Sequence, residues 1–537
     1  MFSPLPALTL LAWRHLPTKV WVGPACVAAL RAAAMALVML TGGCASLPGD
    51  VARPVSAAFG DVAATSLART VAASARDAPP DTSGFRLLPD GGGAFEARIA
   101  LVRRAERSVD AQYYLVAADR SGGQFLAELA AAAARGVRVR LLVDDLNAAG
   151  QDGVFEALAA RPHVEVRLFN PLPARRGSFA TRVVLSLHEL GRINRRMHNK
   201  LLIADNSMAI SGGRNIADEY FDRSGTAHFI DLDLLSAGPV VVELSSGFDL
   251  FWNSALAYPV ASLARRPSGA GDAVAASPAP SLALSAFDSE LATGRLALHF
   301  APARVLVDGM AQVEASSPAR PDSDVMNAHL ELVRTASSSV LMASPYFVPG
   351  RRGLQALGEA RARDVSLRVV TNSLATTDEP LAHFGYARYR VELLRIGVAL
   401  HELVAGGEAP PARDRGSGGD AQGGSGSGAS LGRLHAKVVV VDERWVSVGS
   451  MNMDRRSARC NSESAVLIDS PALAAEVAAF LGRDLGVDSY RLRLGDDGAV
   501  EWLRGDGGAA LRKEPRRATR VGLTRRLASF FVSDDWL

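Results

Sequence analysis

Cysteine is almost absent from this 537-residue chain, which has three, at positions 26, 44 and 460. None lies two to four residues from another, so the spacing of a cysteine zinc site is missing. With Cys26 removed in a leader and Cys44 modified, Cys460 stands alone and no internal disulfide can form. An excess of one charge is lacking too. Lys and Arg number 59 against 56 Asp and Glu, a formal +3, which excludes a surface coated in basic residues for bulk nucleic-acid binding and makes any electrostatic function local. Nor is there a shortage of apolar residues. With 48% hydrophobic and 21% charged residues the bulk is not disordered, and the length calls for two or more domains.

Against that neutral background two basic stretches stand out. Residues 182–214 carry a net +4 and residues 512–526 a net +6. A solvated surface is the plain reading of a charge run. The second, however, leads into "LASFFVSDDWL", and basic residues beside Phe and Trp suit an anionic membrane interface.

The amino terminus reads as an address. Arg14 and Lys19 precede an apolar stretch from Val20 to Leu40, interrupted by Arg31, and "LTGGCASLPGD" follows. A basic region, an apolar region and small residues before a Cys resemble a bacterial lipoprotein signal, with Cys44 as the lipidated residue. Thr41 departs from the pattern, which has Leu three residues before the Cys. The alternative is an uncleaved anchor helix, at the cost of Arg31 near its centre. Both readings give an exported, tethered chain on the periplasmic side of a bacterial envelope membrane.

Beyond residues 1–44, residues 45–84 read as an Ala-, Ser- and Pro-rich spacer. From there strands and helices alternate: "SVDAQYYLV" (108–116), the helix "GGQFLAELAAAAARG" (122–136), then "VRVRLLVDD" (137–145). The same order returns as "SSVLMASPYFV" (338–348), "RRGLQALGEARAR" (351–363) and "VSLRVVTNS" (365–373). This is an internal duplication. Its expected layout is a first α/β repeat at 85–264, a linker at 265–281, a second repeat at 282–510 with a Gly/Ser-rich loop at 414–430, and a basic-aromatic tail at 511–537.

Each repeat later carries a segment with one set of offsets. "HNKLLIADNSMAISGGRN" gives His198, Lys200, Asp205, Gly212 and Asn215; "HAKVVVVDERWVSVGSMN" gives His435, Lys437, Asp442, Gly449 and Asn452. The apolar runs around each Asp predict two strands joined by a tight turn, with His and Lys two apart on one face of a strand. The glycines let backbone approach a ligand, and the Asn offers an amide hydrogen bond. One His-x-Lys is more often surface decoration than catalysis. Two repeats packed about a pseudo-twofold axis, though, gather two His, two Lys and two Asn around one phosphate. That is the inventory of phosphodiester chemistry: a nucleophile, a general acid, and positive charge for the developing negative charge.

The doubled His-x-Lys-x4-Asp motif with Gly and Asn following resembles the signature of the phospholipase D superfamily. Within it, "SVDAQYYLVAADRSG", "RVRLLVDDLNAAG" and "NSLATTDEPLAHFGYARYR" look most like bacterial cardiolipin synthases of the C type. The resemblance covers roughly residues 85–537. It implies two α/β/α sandwich repeats sharing one active site, a phosphohistidine intermediate, and no metal or other cofactor. It also implies a carboxylate beyond each motif that orients a catalytic His: Glu463 in the second half and Asp231 in the first, with Asp233 as an alternative to Asp231. His198 is expected as nucleophile and His435 as acid and base, while Asp205 and Asp442 work structurally at their turns. The expected partners are phospholipid substrates and a membrane, with no nucleic acid. Readings that share these residues are a phospholipase D using water, a nucleic-acid phosphodiesterase, and a non-enzymatic lipid-binding lipoprotein.

Overall fold

Short apolar strands and Ala-rich helices alternate along the first half. In the computed structural model β1 (Ser83–Leu88) leads to helix Gly91–Arg104, β2 (Ser108–Tyr113), helix Arg120–Ala134 and β3 (Arg138–Asp144), and β4 (Val164–Phe169) follows helix Asp152–Ala159. Asp90 and Asp119 cap the first two helices, accepting from the backbone N–H of Gly93 and Gly122. Gly136, at φ 92°, turns the chain out of the second. The half continues with β5 (Arg196–Met197), β6 (Leu201–Ala204), β7 (Met208–Gly212), β8 (Ala227–Ile230), β9 (Asp233–Ala237), β10 (Ala257–Pro259) and β11 (His299–Ala301).

The second half repeats the scheme. Its strands are β12 (Ala303–Val307), β13 (Ser339–Ala343), β14 (Ser366–Asn372), β15 (Ala399–Leu403), β16 (Leu431–Leu434), β17 (Val438–Val441) and β18 (Trp445–Gly449). After these come β19 (Asn461–Ser462), β20 (Ser464–Asp469), β21 (Ser489–Leu494) and β22 (Val500–Arg504). The structure describes residues 46–173, 182, 186–225, 227–263, 286–314, 322–405, 431–485, 489–505 and 510–515. The signal-like start with Cys44, the 265–281 linker, the 414–430 insert and tail residues 516–537 lie outside these.

Among the described residues the strands form two nine-stranded sheets, β10-β4-β3-β2-β6-β7-β9-β1-β11 and β12-β20-β18-β17-β13-β14-β15-β21-β22. The duplication is plain in the order. β4-β3-β2-β6-β7-β9 in one sheet corresponds to β15-β14-β13-β17-β18-β20 in the other, with the first three of each run parallel and the rest antiparallel. One buried cluster takes Leu142, Ile203 and Ala209 from the first sheet and Val438, Val440, Val446 and Val466 from the second. Helices Pro239–Trp252 and Pro471–Leu485 add to it, so the sheets share a core and cannot shift without opening it. This is an α/β protein of two sandwich-like repeats.

Three sequence expectations change. The spacer joins the fold: Pro54 O and Ser56 accept from Arg167, Arg140 and Trp252, and β1 sits inside the first sheet. β11, assigned by sequence to the second repeat, pairs with β1 in the first sheet. The basic stretch 182–214 is not a surface. Arg182, Arg195, Arg196, Lys200 and Arg214 are all 4% exposed or less, and Arg192 pairs with Glu189 at 2.5 Å. Buried guanidiniums need acceptors, and Arg196 with Asp144 and Arg182 with Asp145 supply two such pairs.

Candidate active site

Both hairpins form where the apolar runs predict, and each turns on its Asp. Asp205 and Asn206 have φ of 51° and 46°, Asp442 and Glu443 of 55° and 52°, the doubly left-handed turn that suits a twisted hairpin. Asp205 accepts from the backbone N–H of Glu106, Arg107 and Ser108. Asp442 does the same for Ser337, Ser338 and Ser339. These carboxylates lock the hairpin to the start of the neighbouring central strand. They sit at the far end of the hairpins from His198 and His435.

The histidines are not on the central strands. His198 follows β5 and precedes β6, and His435 lies between β16 and β17. The short strands pair across the halves: β5 runs parallel to β19, and β16 runs parallel to β8. Met197 is opposite Ser462 and Leu434 opposite Ile230, so the next residues in register are His198 with Glu463 and His435 with Asp231. Backbone bonds fix the level, His198 N to Ser462 O at 3.0 Å and His435 N to Ile230 O at 2.8 Å. The side chains then meet. His198 Nδ1 lies 2.9 and 3.0 Å from the two Glu463 oxygens, and His435 Nδ1 lies 2.6 Å from Asp231 Oδ2. Each histidine is therefore held by the acid of the other half. Asp233, the alternative to Asp231, is taken by Arg98 and Arg214.

Occupation of Nδ1 leaves Nε2 of each ring for chemistry. Lys200 Nζ and Lys437 Nζ each donate to the carbonyl of the preceding His at 2.5 Å, which brings the ammonium groups beside the rings. Tyr114 meets His198 edge-on at 5.1 Å, and Tyr220 meets His435 likewise at 5.1 Å, with Phe229 at 4.9 Å. Asn215 donates to Tyr220 Oη at 3.0 Å. Asn215 and Asn452 are 2% and 4% exposed, and the Oδ1 of each has no partner among the described residues. Buried polar atoms left this way point to a ligand.

The glycines make room for the neighbouring strand and its acid. A Cβ on Gly213 would stand 2.1 Å from Asp231 Oδ1, and one on Gly449 would stand 2.2 Å from Ser464 O. Where the first half has Gly213 the second has Ser450, whose Oγ donates to Glu463 Oε2 at 2.5 Å. Asp308 supports the same acid, accepting from Glu463 N at 2.9 Å. Sequence reading missed Ser450, Asp308, Tyr114 and Tyr220. Ser450 alone carried a signal, its place beside the motif glycine.

The two histidines differ electrically. Burial and the charges of Lys200 and Lys437 hold His198 well below its ordinary pKa. Its partner Glu463 is pushed up to about 7, chiefly by burial. His435 is lowered by burial and by Lys437, but Asp231 works against the shift. Burial acts to raise Asp231 as well, yet His435, Lys437 and Arg214 outweigh it and hold it at about 2. Burial lowers Lys200 to about 7 and Lys437 to about 8. An anion bound between the lysines favours their charged forms. The arrangement offers one neutral imidazole, one imidazole backed by a fixed carboxylate, and two cations that an anion completes.

A family profile described as "Cardiolipin synthase, PLD-like domain" matches residues 99–242 and 330–485. The chain is 34% identical over 473 residues to "Cardiolipin synthase C" of Escherichia coli (strain K12), covering 85% of this chain and 97% of that protein. It is 27% identical over 405 residues to "Cardiolipin synthase A" of Pseudomonas fluorescens (strain SBW25), covering 75% of this chain and 68% of that one. Among solved structures, a phosphatidylserine synthase of Haemophilus influenzae Rd KW20 superposes with a TM-score of 0.51 at 13% identity, over 79% of this chain and 92% of that chain. At that identity the likeness is one of fold.

Proposed function

The chain belongs to the phospholipase D-like cardiolipin synthase family of enzymes, and from that premise we propose that it is a membrane-associated phosphatidyltransferase. It makes cardiolipin from phosphatidylglycerol and a second phospholipid through a phosphohistidine on His198. The observation that carries this reading is the pair of cross-half His–carboxylate bonds, with the unequal acids behind them.

In the first step neutral His198 Nε2 attacks the donor phosphorus. The P–N bond forms as the bond to the headgroup oxygen breaks, and that oxygen takes the proton from His435 Nε2. Asp231, ionised at 2.6 Å, stabilises the imidazolium needed for this. His198 keeps its Nδ1 proton on Glu463. In the second step His435 takes the proton of an incoming alcohol, whose oxygen forms the new P–O bond. The P–N bond breaks, with its electron pair returning to His198 Nε2, and both histidines regain their starting states. Lys200, Lys437, Asn215 and Asn452 surround the phosphoryl oxygens, where fixed positive charge is worth most as negative charge grows.

No helix among the described residues is long and apolar enough to cross a membrane. Membrane association is assigned instead to the signal-like start with Cys44 and to the basic tail. The test is product analysis. Full-length protein in vesicles of phosphatidylglycerol and phosphatidylethanolamine should yield cardiolipin, and the His198→Ala and His435→Ala proteins should not. Phosphatidic acid as the sole product would replace transfer by hydrolysis.

A further inference from the structure

The duplication sets Asn215 and Asn452 at matching places, but four residues beyond each the charge is reversed: Glu219 in the first half, Arg456 in the second. Their surroundings differ as well. Arg456 is engaged, donating to Asn194 Oδ1 at 2.7 Å and to Asn194 O at 3.3 Å, and its charge falls on His198. Glu219 is half-buried in the single turn Asp218–Tyr220 and has no hydrogen-bond or ion-pair partner among the described residues. The next residue, Tyr220, lies against the His435 ring at 5.1 Å.

More polar groups converge on that side. Exposed Asp378 accepts from Tyr346 Oη at 2.8 Å, and its charge reaches both Glu219 and His435. Arg433 stands two residues before His435 on β16 and its charge reaches Glu219. Asn215, bonded through Nδ2 to Tyr220, is buried with its Oδ1 unpartnered among the described residues. Asp378 and, through the neighbouring Tyr220, Glu219 thus lie on the His435 side of the site, and the transfer steps use neither. Displacement at phosphorus is in line, so the alcohol oxygen leaves and enters on the side opposite His198, which is the side of His435.

Resting on the transferase reading, we propose that Glu219 and Asp378, positioned by Tyr346, form the acceptor subsite and take hydrogen bonds from the second hydroxyl of a polyol headgroup whose first hydroxyl is held by His435. A carboxylate is an acceptor only, so it selects a partner with a further donor. Water or a monohydric alcohol, once its reacting oxygen is at His435, has no second hydroxyl to offer. The subsite therefore biases the enzyme toward transfer over hydrolysis. The reacting hydroxyl gives its proton to His435 Nε2 and its oxygen to phosphorus, while the second hydroxyl keeps its proton and only donates.

The test gives full-length enzyme in detergent micelles one short-chain phosphatidyl donor and, in parallel, glycerol or propan-1-ol as acceptor, with water competing in both. Wild type should favour glycerol over propan-1-ol. Glu219→Leu should lower the glycerol-to-propanol product ratio by about tenfold or more, the expected effect of losing a hydrogen bond to a charged group. Asp378→Asn, at an exposed position that tolerates change, should lower it less. Transfer that persists with the ratio unchanged in both variants would overturn the subsite and leave the transferase reading intact. A variant ratio that stays at the wild-type value while loading of an ammonium-headed donor slows would assign the carboxylates to the departing headgroup and also overturn it. Wild-type enzyme that makes only phosphatidic acid with every acceptor would overturn the transferase reading, and the subsite with it.

Discussion

Replacing Asp231 by Asn separates the two histidines most sharply. Asp231 uses both oxygens: Oδ1 accepts from Leu232 N at 2.8 Å, and Oδ2 accepts from His435 Nδ1 at 2.6 Å. An amide has one acceptor oxygen. Asparagine can satisfy one donor and must turn its NH2 toward the other, and the charge behind the imidazolium is gone in either orientation. Losing a hydrogen bond to a charged group costs about 1.5–3 kcal/mol, and an unsatisfied buried donor about 1–3 more. Together these place the loss at about 2.5–6 kcal/mol, roughly 70- to 25,000-fold in rate at about 1.36 kcal/mol per decade. Glu463→Gln should be milder, because burial already raises Glu463 to about 7 and less fixed charge is lost with it. The assay is kcat/KM for soluble diesters with an alkyl or a nitrophenyl leaving group. If His435 is the acid, Asp231→Asn should cost much more with the alkyl group, since nitrophenolate needs no proton to depart. A leaving-group-dependent loss in Glu463→Gln, with none in Asp231→Asn, would reverse the roles.

Three further outcomes are expected. His435→Ala, loaded briefly with a good-leaving-group substrate, should carry a phosphatidyl adduct on His198 by mass spectrometry, and His198→Ala should carry none; an adduct on His435 in the latter would exchange the assignments. Lys200→Met should abolish turnover yet raise the melting temperature at pH 6.5. The folded protein holds Lys200 at about 7 against an ordinary 10.5, so wild type binds fewer protons folded than unfolded across that window and gains stability as pH rises through it. The gap in melting temperature should close toward pH 10.5, and equal melting at all pH values would show that no charge is buried there. Finally, residues 510–515 belong to the body, since Glu514 is held by His383 at 2.9 Å and Arg390 at 2.7 Å. Removal of residues 516–537 alone should therefore weaken vesicle binding and bilayer activity more than activity on a soluble diester, and equal losses would give the tail a structural role.

Much of this was legible in one dimension, because repetition leaves a linear trace. The two sets of matched offsets, the apolar runs flanking Asp205 and Asp442, and the strand–helix–strand order at 108–145 and 338–373 depend on local periodicity and turn chemistry, which the sequence carries directly. They specified two α/β repeats, their hairpins, and a chemistry of two His and two Lys. What sequence could not show is which groups cross between the halves. That His198 takes Glu463 and His435 takes Asp231 follows from the register of β5 on β19 and β16 on β8, pairings that span more than 200 residues and exist only once the shared core has closed. The same closure buried the basic stretch 182–214, which in sequence looked like a surface, and drew Pro54 and Ser56 onto the first sheet. It also made equivalent histidines unequal. Local sequence gives each the same neighbours, but burial and long-range charge set one against a raised glutamate and the other against an ionised aspartate, and only the tertiary structure brings those charges within reach.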